Sequence, residues 1–330
     1  MLRLLALGLA TAAVVAPPAF ARSHATKPKP ATNRGIVDVY TSLDYSQSEA
    51  AGTGMVLSSS GLVLTNNHVI RGATHLNVVV VANGKHYAAY VVGYDVPDDV
   101  AVLQLEQASH LATMAFGNSA KLRRGQAVRA IGNAGGKGGK PTVAAGKITA
   151  LHRVIVAVDG EGGSERLTNL IATSANVQPG DSGGPLVDRA GRVVGIVTAG
   201  SSGFALQTNA DRGYAIAINK ARSIARQMVL GHASPRIHLG PTAFLGVSID
   251  SRLSGGAGVF AVVPGLPGDA TGLAKGDVIT SLNGTTIASL NDLQAALIAI
   301  APGQSVPIEW QDAFGNPHSG TIVPASGPPQ

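Results

Sequence analysis

The chain has 330 residues, 45% hydrophobic and 13% charged, which is enough for two domains with buried cores and unlike a disordered polymer. Its formal charge of +6 sits at one end: Arg3, Arg22, Lys27, Lys29 and Arg34 precede Gly35 and leave about +1 for the remainder, so no basic face for nucleic acid is indicated. Cysteine is absent, which excludes disulfides, thiol nucleophiles and cysteine-based zinc sites.

Residues 1–21 read as a secretory signal. Arg3 supplies the positive start, Leu4–Val15 the apolar stretch and Ala19-Phe20-Ala21 an A-x-A cleavage site. The competing reading is a retained membrane anchor, but Pro17-Pro18 interrupt the run before the ~20 residues a span requires. Export with cleavage after Ala21 follows, to the medium, periplasm or cell envelope. Residues 22–34 (RSHATKPKPATNR) are basic and proline-bearing, a tether.

From Gly35 the pattern is one of short β runs separated by turn residues. Strands are predicted at Ile36–Thr41, Gly54–Leu57, Leu62–Thr65, Leu76–Val81, Tyr87–Tyr94 and Val100–Leu105. A second group follows at Ala127–Ile131, Gly139–Ala150, Arg153–Val158, Leu170–Ala172, Pro185–Val187, Val193–Thr198 and Tyr214–Ile218. Two such groups with hardly a helical period between them predict a mainly β fold of two packed antiparallel barrels. Lys220–Leu230 is the first helical pattern, with Ile224, Met228 and Leu230 apolar, and Gly231–Pro241 reads as a linker. A domain at residues 35–230 and a smaller one at 242–325 are expected, the first able to stand alone when cut after Leu230.

Within the second group, Asn176–Val187 (NVQPGDSGGPLV) is a glycine- and proline-rich turn running into an apolar strand, with Ser182 at its apex. A serine that attacks a carbonyl needs a hydroxyl projecting from a sharp turn and backbone N–H groups aimed at the oxyanion. G-D-S-G-G supplies both, with Gly180, Asp181 and Ser182 forming the oxyanion loop; the bland alternative is a glycine-rich hairpin with a surface serine. His68 closes the strand-turn L-V-L-T-N-N-H-V-I, and Asp99 opens the strand D-V-A-V-L-Q-L. Alone, each reads as a structural residue at a strand end. Together they give the order His, Asp, Ser found in chymotrypsin-type triads, two members from the first barrel and the nucleophile from the second.

At these residues the chain resembles the HtrA (DegP-like) exported serine proteases, above all short secreted actinobacterial forms. The matching stretches are Gly52–Ile70, Gly93–Leu105, Ile171–Val187 and Gly213–Ala221, and Phe244–Val323 resembles the family's C-terminal PDZ domain. The resemblance implies a chymotrypsin-like double β-barrel and a small α+β PDZ domain. It places the catalytic residues on His68, Asp99 and Ser182, with Asp99 preferred to Asp98 because it directly precedes the V-A-V-L strand. No metal or cofactor is implied. Trimeric relatives imply a possible homo-oligomer, for which Tyr40 and Tyr45 are the aromatic candidates. Two departures stand out: Thr173-Ser174-Ala175-Asn176 replaces the usual T-D-A-A, and Asp181 stands where asparagine is common.

The S1 pocket is expected from Asn176 on one side and Val197, Thr198, Ala199 and Gly200 on the other. With no acid between Ile171 and Gly180, a small or medium apolar P1 residue is expected. In the C-terminal region, Phe244, Leu245, Gly246 and Val247 resemble a carboxylate-receiving loop, with the following strand offering its edge to a peptide. Two functions compete. One is an exported endopeptidase acting on protein and peptide substrates, its PDZ domain binding C-terminal peptides. The other is a chaperone-like peptide binder with an inert protease fold.

Overall fold

In the computed structural model, residues 33–158, 164–198, 205–206, 213–250 and 255–330 are described, so the expected signal, almost all of the tether, and Ala199 and Gly200 lie outside the described residues. The first barrel is made of β1 (Ile36–Leu43), β2 (Ser48–Val56), β3 (Leu62–Thr65), β4 (His75–Val80), β5 (Lys85–Asp95) and β6 (Val100–Leu105). The antiparallel ladder runs β1-β2-β3-β6-β5-β4 and closes back on β1. A one-turn helix, α1 (Asn67–Ile70), follows β3.

The second barrel comprises β7 (Ala127–Gly132), β8 (Thr142–Val158), β9 (Ser164–Thr173), β10 (Pro185–Val187) and β11 (Val193–Thr198). A short β12 (Ala205–Leu206) lies outside its ring, and β13 (Gly213–Ala217) completes it. This ring runs β7-β8-β9-β13-β11-β10 and closes on β7. Closure pairs most of the sheet edges in both barrels.

Strand β6 shows why these runs are apolar at every position. Ala101, Leu103 and Leu105 fill the first barrel, while Val100 and Val102 join Ile131, Leu170, Val187 and Ile196 in the seam between barrels. Helix α2 (Ile218–Val229) lays Ile218, Ala221, Ile224, Ala225 and Met228 into that seam, a 3.6-period stripe. It begins at Ile218, expected as the last residue of a strand, and Leu230 lies beyond it, 55% exposed rather than on the buried face. The two strands expected over Gly139–Val158 are one, β8, whose register against β9 slips around His152, a residue in the left-handed region (φ 56°).

The stretch expected as a linker carries a strand, β14 (Ile237–Leu239), which pairs with Gly93–Asp95 of β5. The reason lies in β5 itself. Strand β4 pairs only with Lys85–Ala88, so the far end of β5 keeps an open edge that β14 covers. A cut after Leu230 would therefore take a strand from the first barrel.

The C-terminal part begins with β15 (Thr242–Phe244). Its sheet has the order β16 (Val247–Asp250), β17 (Ala257–Val262), β18 (Val278–Leu282), β20 (Val306–Gln311) and β21 (Pro317–Ile322), with the short β19 (Thr285–Thr286) paired to β18 off this path. Helices α3 (Pro267–Thr271) and α4 (Leu290–Ile298) complete it, and Ser289 caps α4 by accepting from the Asp292 N–H. The last strand, β22 (Ala325–Gly327), leaves this sheet and pairs with β15. Leu245, Val259, Ile279, Leu293, Leu297 and Trp310 are among the residues of its core. It meets the first barrel where the Tyr94 and Thr242 hydroxyls lie 2.9 Å apart and the rings of Tyr45 and Phe244 meet at 4.9 Å, tilted by 34°.

Candidate active site

The imidazole of His68 comes from α1. Its backbone N–H donates to Asp99 Oδ1 at 3.0 Å, and Nδ1 lies 3.0 and 2.9 Å from Asp99 Oδ1 and Oδ2. An ionised carboxylate can only accept, so it fixes the proton on Nδ1 and turns Nε2 away from itself. Asp99 is fully buried and takes a further hydrogen bond from Thr198 Oγ1 at 3.0 Å, while its own carbonyl accepts from Asn66 Nδ2 at 2.7 Å. Its backbone is left-handed (φ 51°), which bends the chain so that the side chain points back at His68.

The neighbouring acid goes elsewhere. Asp98 pairs with Lys220 on α2 and with Arg236 Nη2 at 2.6 Å. Asp95 Oδ1 accepts from the Asp98 N–H at 2.9 Å, closing the turn that carries Asp99. Burial, then the charge of Asp98, pushes the Asp95 carboxyl up to about 6.

The turn that carries Ser182 is shaped by contacts that only glycine permits. At Gly180 (φ 94°) a Cβ would run into the Asn133 carbonyl oxygen; at Gly183 (φ 84°) it would run into the Thr53 carbonyl oxygen and Thr65 Oγ1. Thr53, from β2 of the other barrel, clamps the turn from below. Its N–H donates to the Ser182 carbonyl at 2.8 Å and its hydroxyl to the Gly180 carbonyl at 2.7 Å, while the Asn133 N–H donates to that hydroxyl at 2.9 Å.

The Asp181 carboxylate is folded inward, accepting from the Gln178 N–H at 3.0 Å and the Thr142 hydroxyl at 3.1 Å; burial raises its pKa. Its N–H donates to the Gln178 carbonyl at 3.0 Å, which removes Asp181 from the expected oxyanion donors. Behind the turn, Asp38 of β1 is buried and pushed up to about 6 by desolvation, against a backbone hydrogen bond from Gly139.

His68 and Gly180 line a cleft of about 1470 Å³ that extends to β16 and α4 of the C-terminal domain. Phe244, Leu245 and Val247 also line it, and Gly246 takes the turn between them at φ 76°. Strand β16 is the edge of its sheet, with Leu293 and Leu297 of α4 across the groove. Tyr40 and Tyr45 line the same cleft, Tyr45 against Phe244, so Tyr45 is engaged within its own chain.

The three described members of the expected S1 group are not brought together. Asn176 is exposed, Val197 is buried in the second barrel's core, and the Thr198 hydroxyl is turned to Asp99. The strand V-V-G-I-V-T is apolar on both faces, so its pattern gave no sign of which residue faces the cleft. Nothing in the sequence singles out Asn66 and Asn133, and the one hint at Thr53 is that Gly52 and Gly54 flank it in a strand.

Residues 52–196 match the trypsin-like peptidase domain family, and residues 243–311 match the PDZ domain family. Among curated proteins, the chain is 34% identical to the periplasmic pH-dependent serine endoprotease DegQ of Escherichia coli over 79% of this chain and 56% of that one. It is 33% identical to the serine protease PepD of Mycobacterium tuberculosis, over 82% of this chain and 60% of that one. The chain thus spans little more than half the length of these relatives. Among solved structures it is similar to the HtrA-type protease AlgW with tripeptide, at 28% identity and a TM-score of 0.51, over 90% of this chain and 95% of that one.

Proposed function

Because the chain belongs to the HtrA family of serine proteases, with a trypsin-like peptidase domain and one PDZ domain, we propose that it is an exported serine endopeptidase that cleaves unfolded protein substrates. The observation that carries this reading is the buried Asp99–His68 pair at 2.9 Å, in a cleft shared with the G-D-S-G-G turn. Ser182 attacks the peptide carbonyl while His68 Nε2 takes its proton and later delivers it to the leaving amine. Asp99 holds the tautomer and stabilises the imidazolium, itself steadied by Thr198 and by the His68 N–H. The oxyanion falls to the N–H groups of Gly180 and Ser182, since that of Asp181 is committed to Gln178.

In the PDZ domain, a substrate C-terminus adds along the edge of β16, its carboxylate at Phe244–Val247 and its side chains against α4. The A-x-A site after an apolar start, and relatives named as periplasmic, support action in the cell envelope after cleavage near Ala21.

A fluorophosphonate tests the chemistry directly. It is expected to label the wild-type protein and not Ser182→Ala, and casein hydrolysis is expected to vanish in that variant with its circular dichroism unchanged. Hydrolysis that persists in Ser182→Ala, or a wild-type protein that takes no label, would overturn the assignment and favour an inert peptide binder.

A further inference from the structure

After its last sheet strand the chain crosses back to the first barrel. Strand β22 lies on β15, and Gly327 there has Phe244 packed directly on its backbone; a Cβ at Gly327 would run into Phe244 Cβ and Cγ. Beyond it Pro328 and Pro329 are buried. The Gly72 N–H donates to the Pro329 carbonyl at 2.8 Å, Asn67 Nδ2 donates to a Gln330 oxygen at 3.0 Å, and the Gln330 N–H reaches the Tyr94 hydroxyl at 3.4 Å. Tyr94 in turn meets Thr242 at the root of β15, so the segment is anchored at both ends.

The placement of these contacts decides what they do. Asn67 is the first residue of α1 and Gly72 lies two residues past its end, so the segment grips both sides of the turn that carries His68. A four-residue helix has no stability of its own. Its orientation depends wholly on what it touches, and Asn67 Oδ1 has no hydrogen-bond partner among the described residues, so the bond from Nδ2 is what fixes that side chain. Two prolines suit such a role. They have little conformational freedom to lose on docking and no N–H that burial would leave unpaired.

We propose that Ala325–Gln330 is an intramolecular latch that positions α1, and through it the imidazole of His68, against Asp99. The proposal rests on His68 being the base, and Asn67 is on this account a positioning residue. The latch also makes Phe244 a shared part, since the ring that covers Gly327 opens the loop at which a bound peptide would end.

Deleting Ala325–Gln330 tests this, with a tripeptide anilide too short to reach the PDZ domain as substrate. Expected are a roughly tenfold fall in kcat and in the fluorophosphonate labelling rate, with KM unchanged, as misplacing a catalytic group lowers turnover rather than binding. Added hexapeptide Ala-Ser-Gly-Pro-Pro-Gln at millimolar concentration should restore most of the lost kcat. Asn67→Ala, which leaves the tail intact, should show a fall of similar size that the hexapeptide does not relieve. An undiminished or raised kcat in the deletion, full activity in Asn67→Ala, or a fall in the deletion that the hexapeptide fails to reverse would each overturn the latch. Labelling of the undeleted protein separates this from the broader reading: if that protein takes no label, the protease assignment fails; if it labels no faster than the deletion, the latch alone does.

Discussion

Ser182 is held by backbone and His68 by side chains, and the two barrels differ accordingly. At the turn of the second barrel, the carbonyl oxygens of Asn133 and, from the first barrel, Thr53 press so closely on Gly180 and Gly183 that no other residue fits. In the first, Asp99 collects the Thr198 hydroxyl and the imidazole, Asn66 grips its carbonyl, and Asp95, Asp98, Lys220 and Arg236 brace the turn it stands on. A backbone-built site tolerates almost no substitution, because the clash is with atoms every residue has. A side-chain-built site degrades one hydrogen bond at a time.

The sharpest test of the side-chain half is the adjacent pair of acids. Asp99→Asn should lower kcat about 10⁴-fold, since an amide can hold the wrong tautomer. Asp98→Asn, which loses ion pairs to Lys220 and Arg236, should cost less than about tenfold because those partners remain partly in solvent. Steady-state kinetics on a short peptide would show the ranking, and a reversed order would mean the wrong acid has been assigned.

For the backbone half, Gly183→Ala should lower kcat/KM by roughly 10²–10³, by turning N–H groups away from the oxyanion. If Thr198→Val proves more damaging than Gly183→Ala, the contrast between the barrels is wrong. Thr53→Val is a milder intervention. It leaves the Gly180 carbonyl and the Asn133 N–H without their shared hydroxyl, so about 1–3 kcal/mol of stability should be lost by urea denaturation, with kcat down about tenfold.

The smallest effect concerns Asp38, whose carboxyl is raised from 3.8 to about 6 chiefly by burial. With a folded pKa above the unfolded one, the native state binds the proton more tightly, so this residue's contribution to stability falls as pH rises from about 4 to above 6. Asp38→Asn should therefore stabilise the protein modestly at pH 7 and flatten that decline, as followed by thermal melts. Asp95 titrates with the same sign in both proteins, so the difference between them isolates Asp38. Melts that track one another across that range would show that Asp38 is not desolvated.

This contrast also governs how much could be read from the sequence. G-D-S-G-G was legible because glycine is conspicuous and its spacing encodes backbone shape. The barrels were legible because valine, isoleucine and leucine recur at strand spacing, as in Val100–Leu105, where expected and observed strands coincide. Thr53 was not, since a threonine in a strand is ordinary until its hydroxyl is seen bridging to the other barrel. Nor was the direction of Val197 and Thr198, on a strand with two apolar faces. Strand β14 has three residues between turn signals, and what makes it a strand is the open edge of β5, which lies some 140 residues earlier.

That strand blurs the boundary between modules. By sequence Ile237–Leu239 belongs to the approach to the PDZ domain, yet by pairing it is the outermost stave of the peptidase barrel, and Arg236 just before it neutralises the acids under Asp99. A graft that exchanges PDZ domains at Gly231 would carry away part of the wall on which Asp99 rests; one made at Gly240 would not. A domain joined after Leu239 would leave that wall whole and begin its first strand beside Tyr94, where Thr242 now stands.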